Sequence, residues 1–176
     1  MIPRITRCMI DIETLATTVD SVILSIGAVN IDNFYDSFYV EVETEVGQEG
    51  RRTEKSALDF WEKHKEIMPK GKHLLYDSVR AFRFWYLARP GRRFDEVWCQ
   101  GTDFDIAILK HVFDSFDLLT PWKYSAVRDL RTIRKFLQLT VPESIKNECA
   151  HNALADAKFQ ANVLKEILKV VHGRPF

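Results

Sequence analysis

The chain has 176 residues, 46% apolar and 28% charged, with 25 basic side chains balancing 25 acidic ones. That size suits one domain whose core needs no disulfide staples, and zero net charge argues against a protein that coats long duplex DNA electrostatically. No window nears the roughly 18 uncharged apolar residues of a membrane span, and the N-terminus lacks the basic-then-apolar pattern of a signal peptide.

Residues 6–12 read as a buried strand, and Val22 to Ile31 as a second, with Gly27 inside it. Ser37 to Val42 is a third, after a short Asp32-Asn33 turn. Short connections make these three an antiparallel meander. A loop with Gly47 and Gly50 leads to a helix over Glu54 to Met68, with Leu58, Trp61 and His64 or Lys65 one turn apart, ended by Pro69 and Gly71. A second helix, His73 to Ala88, turns Val79, Phe82 and Trp85-Tyr86 inward and stops at Pro90-Gly91. Phe94 to Cys99 is a fourth strand, and Asp105 to Phe113 a helix. Ser125 to Leu137 reads as helical on its stripe of Leu130, Ile133 and Leu137. The last helix spans about 152–171, where Leu154, Ala157, Ala161, Leu164, Leu168 and Val171 recur at three and four. Strands first, then strands alternating with helices, mean an α/β fold with helices packed on a mixed sheet. No repeat or linker interrupts it, so residues 1–176 read as a single domain.

Cys8, Cys99 and Cys149 form no C-x-x-C pair, and two of them sit in apolar strand-like runs. Buried, reduced thiols of a cytosolic protein fit that pattern. Charge is unevenly spread: residues 1–50 hold nine acidic and two basic residues, whereas 51–93 hold five and twelve. The basic stretch, from Arg51 and Arg52 through Lys63, Lys65, Arg80 and Arg83 to Arg89, Arg92 and Arg93, is either a phosphate path or a solvated helical face.

Carboxylates gather in three places. Asp11 and Glu13 are two apart at the end of an apolar strand, so both point to one face of the sheet. Facing the same way, they repel unless cations or protons lie between them. Asp105 stands where the fourth strand turns into a helix, as a cap, a cation ligand or both, with Asp103 as its rival. Near the C-terminus, His151 and Asp156 would lie about 140° apart within a single helix. With Asn152 as N-cap, His151 instead falls in the preceding loop and can fold over the helix start. His64, His73, His111 and His172 have no such company and read as surface residues. Hard divalent cations want such oxygen ligands.

The ordered set D-x-E, F-D and H-x4-D resembles the DEDDh 3′-to-5′ exonucleases of the ribonuclease H-like fold. Gly101-Thr102-Asp103-Phe104-Asp105-Ile106-Ala107-Ile108-Leu109 and the run from His151 through Asp156 and Gln160 to Ala161 are similar to the phage-type exodeoxyribonuclease branch. So are Ser25-Ile26-Gly27-Ala28-Val29, Phe60-Trp61 and Arg128-Asp129-Leu130-Arg131-Thr132. The likeness runs from about residue 7 to 170. It selects Asp105 over Asp103 and implies a mixed sheet of about five strands flanked by helices.

The resemblance implies that Asp11, Glu13, Asp105 and Asp156 hold two Mg²⁺ ions, replaceable by Mn²⁺, roughly 3.5–4 Å apart. In that scheme Asp11 bridges, Glu13 and Asp156 serve the nucleophile side and Asp105 the other. His151 takes the proton of the attacking water. Thr14 and Leu15 line the pocket for the 3′-terminal nucleotide, and Phe60 or Trp61 either stack on bases or fill core. Asp129 and Arg131 anchor a helix start. The implied reaction is 3′-to-5′ hydrolysis of single-stranded ends to nucleoside 5′-monophosphates, DNA slightly ahead of RNA, with a silent binding module as the reading from another class. The same resemblance allows a homodimer and a cytoplasmic enzyme, in the host cytoplasm if phage-encoded.

Overall fold

A computed structural model describes residues 5–88, 93–147 and 149–173. Five strands, β1 (Arg7–Thr14), β2 (Ile23–Asn30), β3 (Asn33–Glu41), β4 (Glu96–Cys99) and β5 (Val127–Asp129), form one sheet in the order β3-β2-β1-β4-β5. The meander β1-β2-β3 is antiparallel, while β4 and β5 join parallel to β1. The expected mixed α/β sheet of five strands is the one observed.

Alternation along β1 divides the core. Cys8, Ile10 and Ile12 point to the side of α2 (Leu75–Leu87) and α3 (Asp105–Ser115), packing with Val79, Phe82, Tyr86, Ile108 and Leu109. Met9 points to the other side, against Leu130 of α4 (Leu130–Phe136) and Ala157, Ala161 and Leu164 of α5 (Ala153–His172). By the same period of two, Asp11 and Glu13 face α5. Asn152 caps α5 by accepting from the Ala155 N–H at 3.0 Å, as its position in the sequence predicts.

Three expectations need correction. Ser125 to Leu137 is not one helix: Val127–Asp129 pair with Val97–Cys99 as the fifth strand, and α4 begins only at Leu130. The ladder satisfies backbone groups that a helix would otherwise use, and Asp129 accepts from the Thr132 N–H at 2.7 Å to start the helix behind it. The helix expected over Glu54 to Met68 is α1 (Lys55–Lys63), followed by turns, and Leu58 points outward at 44% exposure while Trp61 is buried. On α5 the core stripe runs only to Leu168, because Val171 is 49% exposed past the end of the sheet.

Cys8 and Cys99 are buried thiols, and Cys149 is exposed. Burial pushes the Cys99 thiol far up, which leaves it inert as a nucleophile. Among the described residues no helix is long and apolar enough to cross a membrane.

The basic stretch proves to be divided. Arg80 lies over the Tyr76 ring, and Arg83 donates to the Leu119 carbonyl at 3.1 Å, so both belong to α2 on the sheet face turned away from Asp11. Arg51 is tied to the Ser21 carbonyl at 2.7 Å. Arg89, Arg92 and the Pro90-Gly91 stop lie outside the described residues.

Candidate active site

The site is assembled at the end of β1. Across the ladder, Asp11 is opposite Gly27 and Glu13 opposite Ser25. Gly27 has no side chain where one could not fit: a Cβ there would lie 2.2 Å from the Ala153 carbonyl carbon and 2.3 Å from the Leu154 nitrogen. The first turn of α5 therefore rests directly on the sheet beside Asp11. This close approach carries Asp156 to the strand, and ligand oxygens of Asp11, Glu13 and Asp156 lie within 4.8 Å of one another.

Each carboxylate is held in place. Asp156 accepts the His151 backbone N–H on Oδ2 at 2.9 Å, and the Asn147 amide donates to its Oδ1. That bond ties down a left-handed residue, since His151 has φ of 66°. Asp11 Oδ1 accepts from Gln160 Nε2 at 2.6 Å. Asp105, the first residue of α3, is 3% exposed and accepts the Ile12 N–H at 3.2 Å. It caps no helix by side chain and is not a member of the trio, yet its charge acts on Asp11. Asp103 is exposed.

Burial sets the proton affinities. Desolvation, followed by the charges of Asp105, Glu13 and Asp156, pushes the Asp11 carboxyl well above the usual carboxylate range. Burial, the neighbouring Asp156 carboxylate and a hydrogen bond to it push Glu13 up to about 8. Asp105 rises to about 7 through burial, against hydrogen bonds from Ile12, Asp105 and Gly101 backbone and the pull of Arg131. This all-oxygen, anionic donor set fits a hard dication, which relieves the repulsion that the protons otherwise answer.

A carboxyl whose folded pKa exceeds its unfolded value binds its proton more tightly when folded, so stability falls as pH rises from the unfolded value through the folded one. The unfolding free energy of the metal-free protein should therefore fall between about pH 5 and pH 8, by up to about 1.4 kcal/mol per pH unit for each such group, and its melting temperature with it. Saturating Mg²⁺ or Mn²⁺ should raise the melting temperature more at pH 8 than at pH 6, because protons compete with the cation for the same oxygens. A metal-free melting temperature that climbs over this range would contradict the reading.

Around the acids stands an aromatic wall. The Phe60 ring meets the His151 ring at 4.7 Å and lies over His64 at 4.3 Å, with His64 and His151 5.9 Å apart. His64 Nδ1 sits 2.8 Å from the Phe60 carbonyl. His64 is thus no mere surface residue; its place one turn from Phe60, at the C-cap of α1, is the available signal. Trp61 is 3% exposed and donates its indole N–H to the Thr14 carbonyl at 3.0 Å. It leaves no face on which a base could stack, and acts instead by bracing the backbone at Thr14. Thr14 and Leu15 are buried, and the Thr14 hydroxyl donates to the Ala16 carbonyl at 2.6 Å. His111 is also partly buried, His73 is exposed as expected, and the His172 side chain is outside the described residues. Asp129 performs the anchoring role expected of it, accepting from Thr102 N–H as well as Thr132 N–H. Gln160, which the sequence marks only as part of the C-terminal run, and Asn147, which it does not mark, join the site through tertiary contact: Gln160 touches a residue 149 positions away.

Solved structures share this architecture. The nuclease domain of 3′hExo, a DEDDh family member solved with rAMP, superposes with a TM-score of 0.59 at 14% identity, covering 96% of this chain and 92% of that one. The zinc-bound E. coli ExoI–ssDNA complex gives 0.69 at 14% identity over 98% of this chain, and cell-death related nuclease 4 gives 0.55 at 16% over 96%. The chain spans 42% of that ExoI chain and 64% of the nuclease 4 chain. No curated protein matches in sequence, and none of these comparisons supports a homodimer.

Sheet order and flanking helices are those of the fold these nucleases share. Residues 6–168 match the family described as the 3′-5′ exoribonuclease Rv2179c-like domain, and the chain belongs to that family.

Proposed function

We propose that this enzyme removes nucleoside 5′-monophosphates one at a time from the 3′ end of single-stranded RNA, with two divalent cations, Mg²⁺ or Mn²⁺, at the acidic trio. The observation that carries it is the convergence of Asp11, Glu13 and Asp156 oxygens within 4.8 Å, in surroundings that disfavour charge on Asp11 and Glu13. RNA is preferred to the DNA suggested by sequence resemblance because the matching family is one of exoribonuclease domains.

Bound cations would lower the pKa of the attacking water and stabilise charge on the scissile phosphate. Asp11 would bridge them, with Glu13 and Asp156 on the nucleophile side. Asp105 would complete the set from the α3 side, where its charge already acts on Asp11. His151, set beside Phe60, accepts the proton of the attacking water. Thr14 and Leu15 shape the floor for the terminal nucleotide, on backbone that Trp61 holds. Phe60 turns its ring to His151 and completes the wall. Buried reduced Cys8 and Cys99 suit a cytoplasmic setting.

The test uses matched RNA and DNA oligomers labelled at the 3′ or the 5′ end, with Mg²⁺ and then with EDTA. Stepwise shortening from the 3′ end, abolished by chelation and faster on RNA, is expected. Faster turnover of DNA would reverse the substrate assignment, and a mobility shift without shortening would favour a binding module. In the same assay His151→Ala should slow turnover by ~10²–10⁴, the usual worth of general acid–base catalysis. Undiminished activity would mean another base.

A further inference from the structure

One buried polar side chain of the site is only half satisfied. Gln160 is 7% exposed, one turn of α5 beyond Asp156 and on the same face. Its Nε2 donates to Asp11 Oδ1 at 2.6 Å, whereas its Oε1 has no hydrogen-bond partner among the described residues. A buried amide oxygen left unpaired is costly, so the working protein supplies a donor. The neighbouring carboxylates, once ionised around a cation, can only accept. Water held by that cation has its lone pair engaged and can only donate. An amide carries both a donor and an acceptor and so answers both demands, giving a hydrogen to Asp11 and taking one from such a water.

We propose that Gln160 is the positioning residue of the cation site: its N–H fixes Asp11 through one carboxylate oxygen, and its carbonyl accepts from cation-held water. The inference rests on the reading of Asp11 as a cation ligand. Fixing one oxygen of Asp11 leaves the other oriented for the metal, so loss of the amide weakens the cation site while leaving the nucleic-acid surface intact. Partners of this kind commonly govern metal affinity by about 10–100-fold.

Gln160→Met keeps length and volume but removes both polar atoms. Calorimetric titration with Mn²⁺ should show affinity about 10–100-fold weaker than wild type. The Mg²⁺ midpoint for RNA shortening should move in parallel, with KM for RNA unchanged at saturating metal. If wild type binds Mn²⁺ and Q160M binds it equally well, the inference falls and the Asp11 reading survives. If wild type binds no Mn²⁺, both fall. Should Q160M lack a cooperative melting transition, the wild-type protein decides. The Gln160 side-chain amide signals in its nitrogen-15 NMR spectrum should then shift over the same Mg²⁺ range that supports turnover, and signals that stay fixed would overturn the assignment.

Discussion

Asp11→Asn is expected to cut exonuclease turnover by on the order of 10³ or more while making the metal-free protein more stable. The two effects have one cause. Asp11 lies among three other acids, and burial together with their charges already raises its proton affinity. Its carboxylate is unfavourable in the metal-free fold and becomes favourable only when dications sit among the oxygens. Asparagine keeps an acceptor for the Gln160 N–H but carries no charge, so it relieves repulsion and forfeits cation binding. Metal-ion stabilisation is worth several kcal/mol of barrier, hence the size of the rate loss. For a chain of this length each kcal/mol of relieved repulsion should raise the metal-free melting temperature by about 2–4 °C. Turnover rates with Mg²⁺ and melting curves in EDTA check both halves. A destabilised variant with normal turnover would show that Asp11 is a structural acid.

Gly27→Ala should be comparably harmful, although Gly27 carries no chemistry. The new methyl carbon would lie 2.2 Å from Ala153 carbonyl carbon and 2.4 Å from Ala153 oxygen, far inside contact distance. Backbone, rather than a pliant side chain, is what it meets, so α5 has to lift off the sheet at its first turn. That turn follows His151 and precedes Asp156 and Gln160, so base, ligand and positioning amide move together. A displacement of about 1 Å can cost ~10² in rate, and overpacking typically costs about 1–3 kcal/mol of stability. Rate and Mn²⁺ affinity should therefore fall together in a protein that still folds. A G27A enzyme with wild-type rate and metal affinity would mean that α5 does not depend on the close approach.

The two predictions differ in how visible their origins are in the chain. The orientation of Asp11 and Glu13 follows from alternation within one strand, and the Asn152 cap from a side chain and a backbone N–H three residues apart. Gly27 could be seen inside a strand, but not that Ala153 would press on it.

Elsewhere local pattern misled. The 125–129 segment has an apolar spacing compatible with helix, yet it extends because β4 offers it an open edge. Leu58 fits a helical stripe with Trp61, yet only Trp61 finds a pocket, against Leu15, Val22 and Leu24. His64 looks isolated in sequence and is one ring away from His151 in space.

By itself, then, the sequence determined the class of chemistry, the α/β alternation and which acids face the same side, because these depend on residue type and on periods of two and 3.6. Tertiary structure alone decided that Asp156 and Gln160 meet Asp11, that Asp105 stands beside the trio rather than in it, and that Trp61 supports rather than stacks. Those outcomes depend on strand register and on how closely α5 approaches the sheet, and no rule acting over a few residues can specify either.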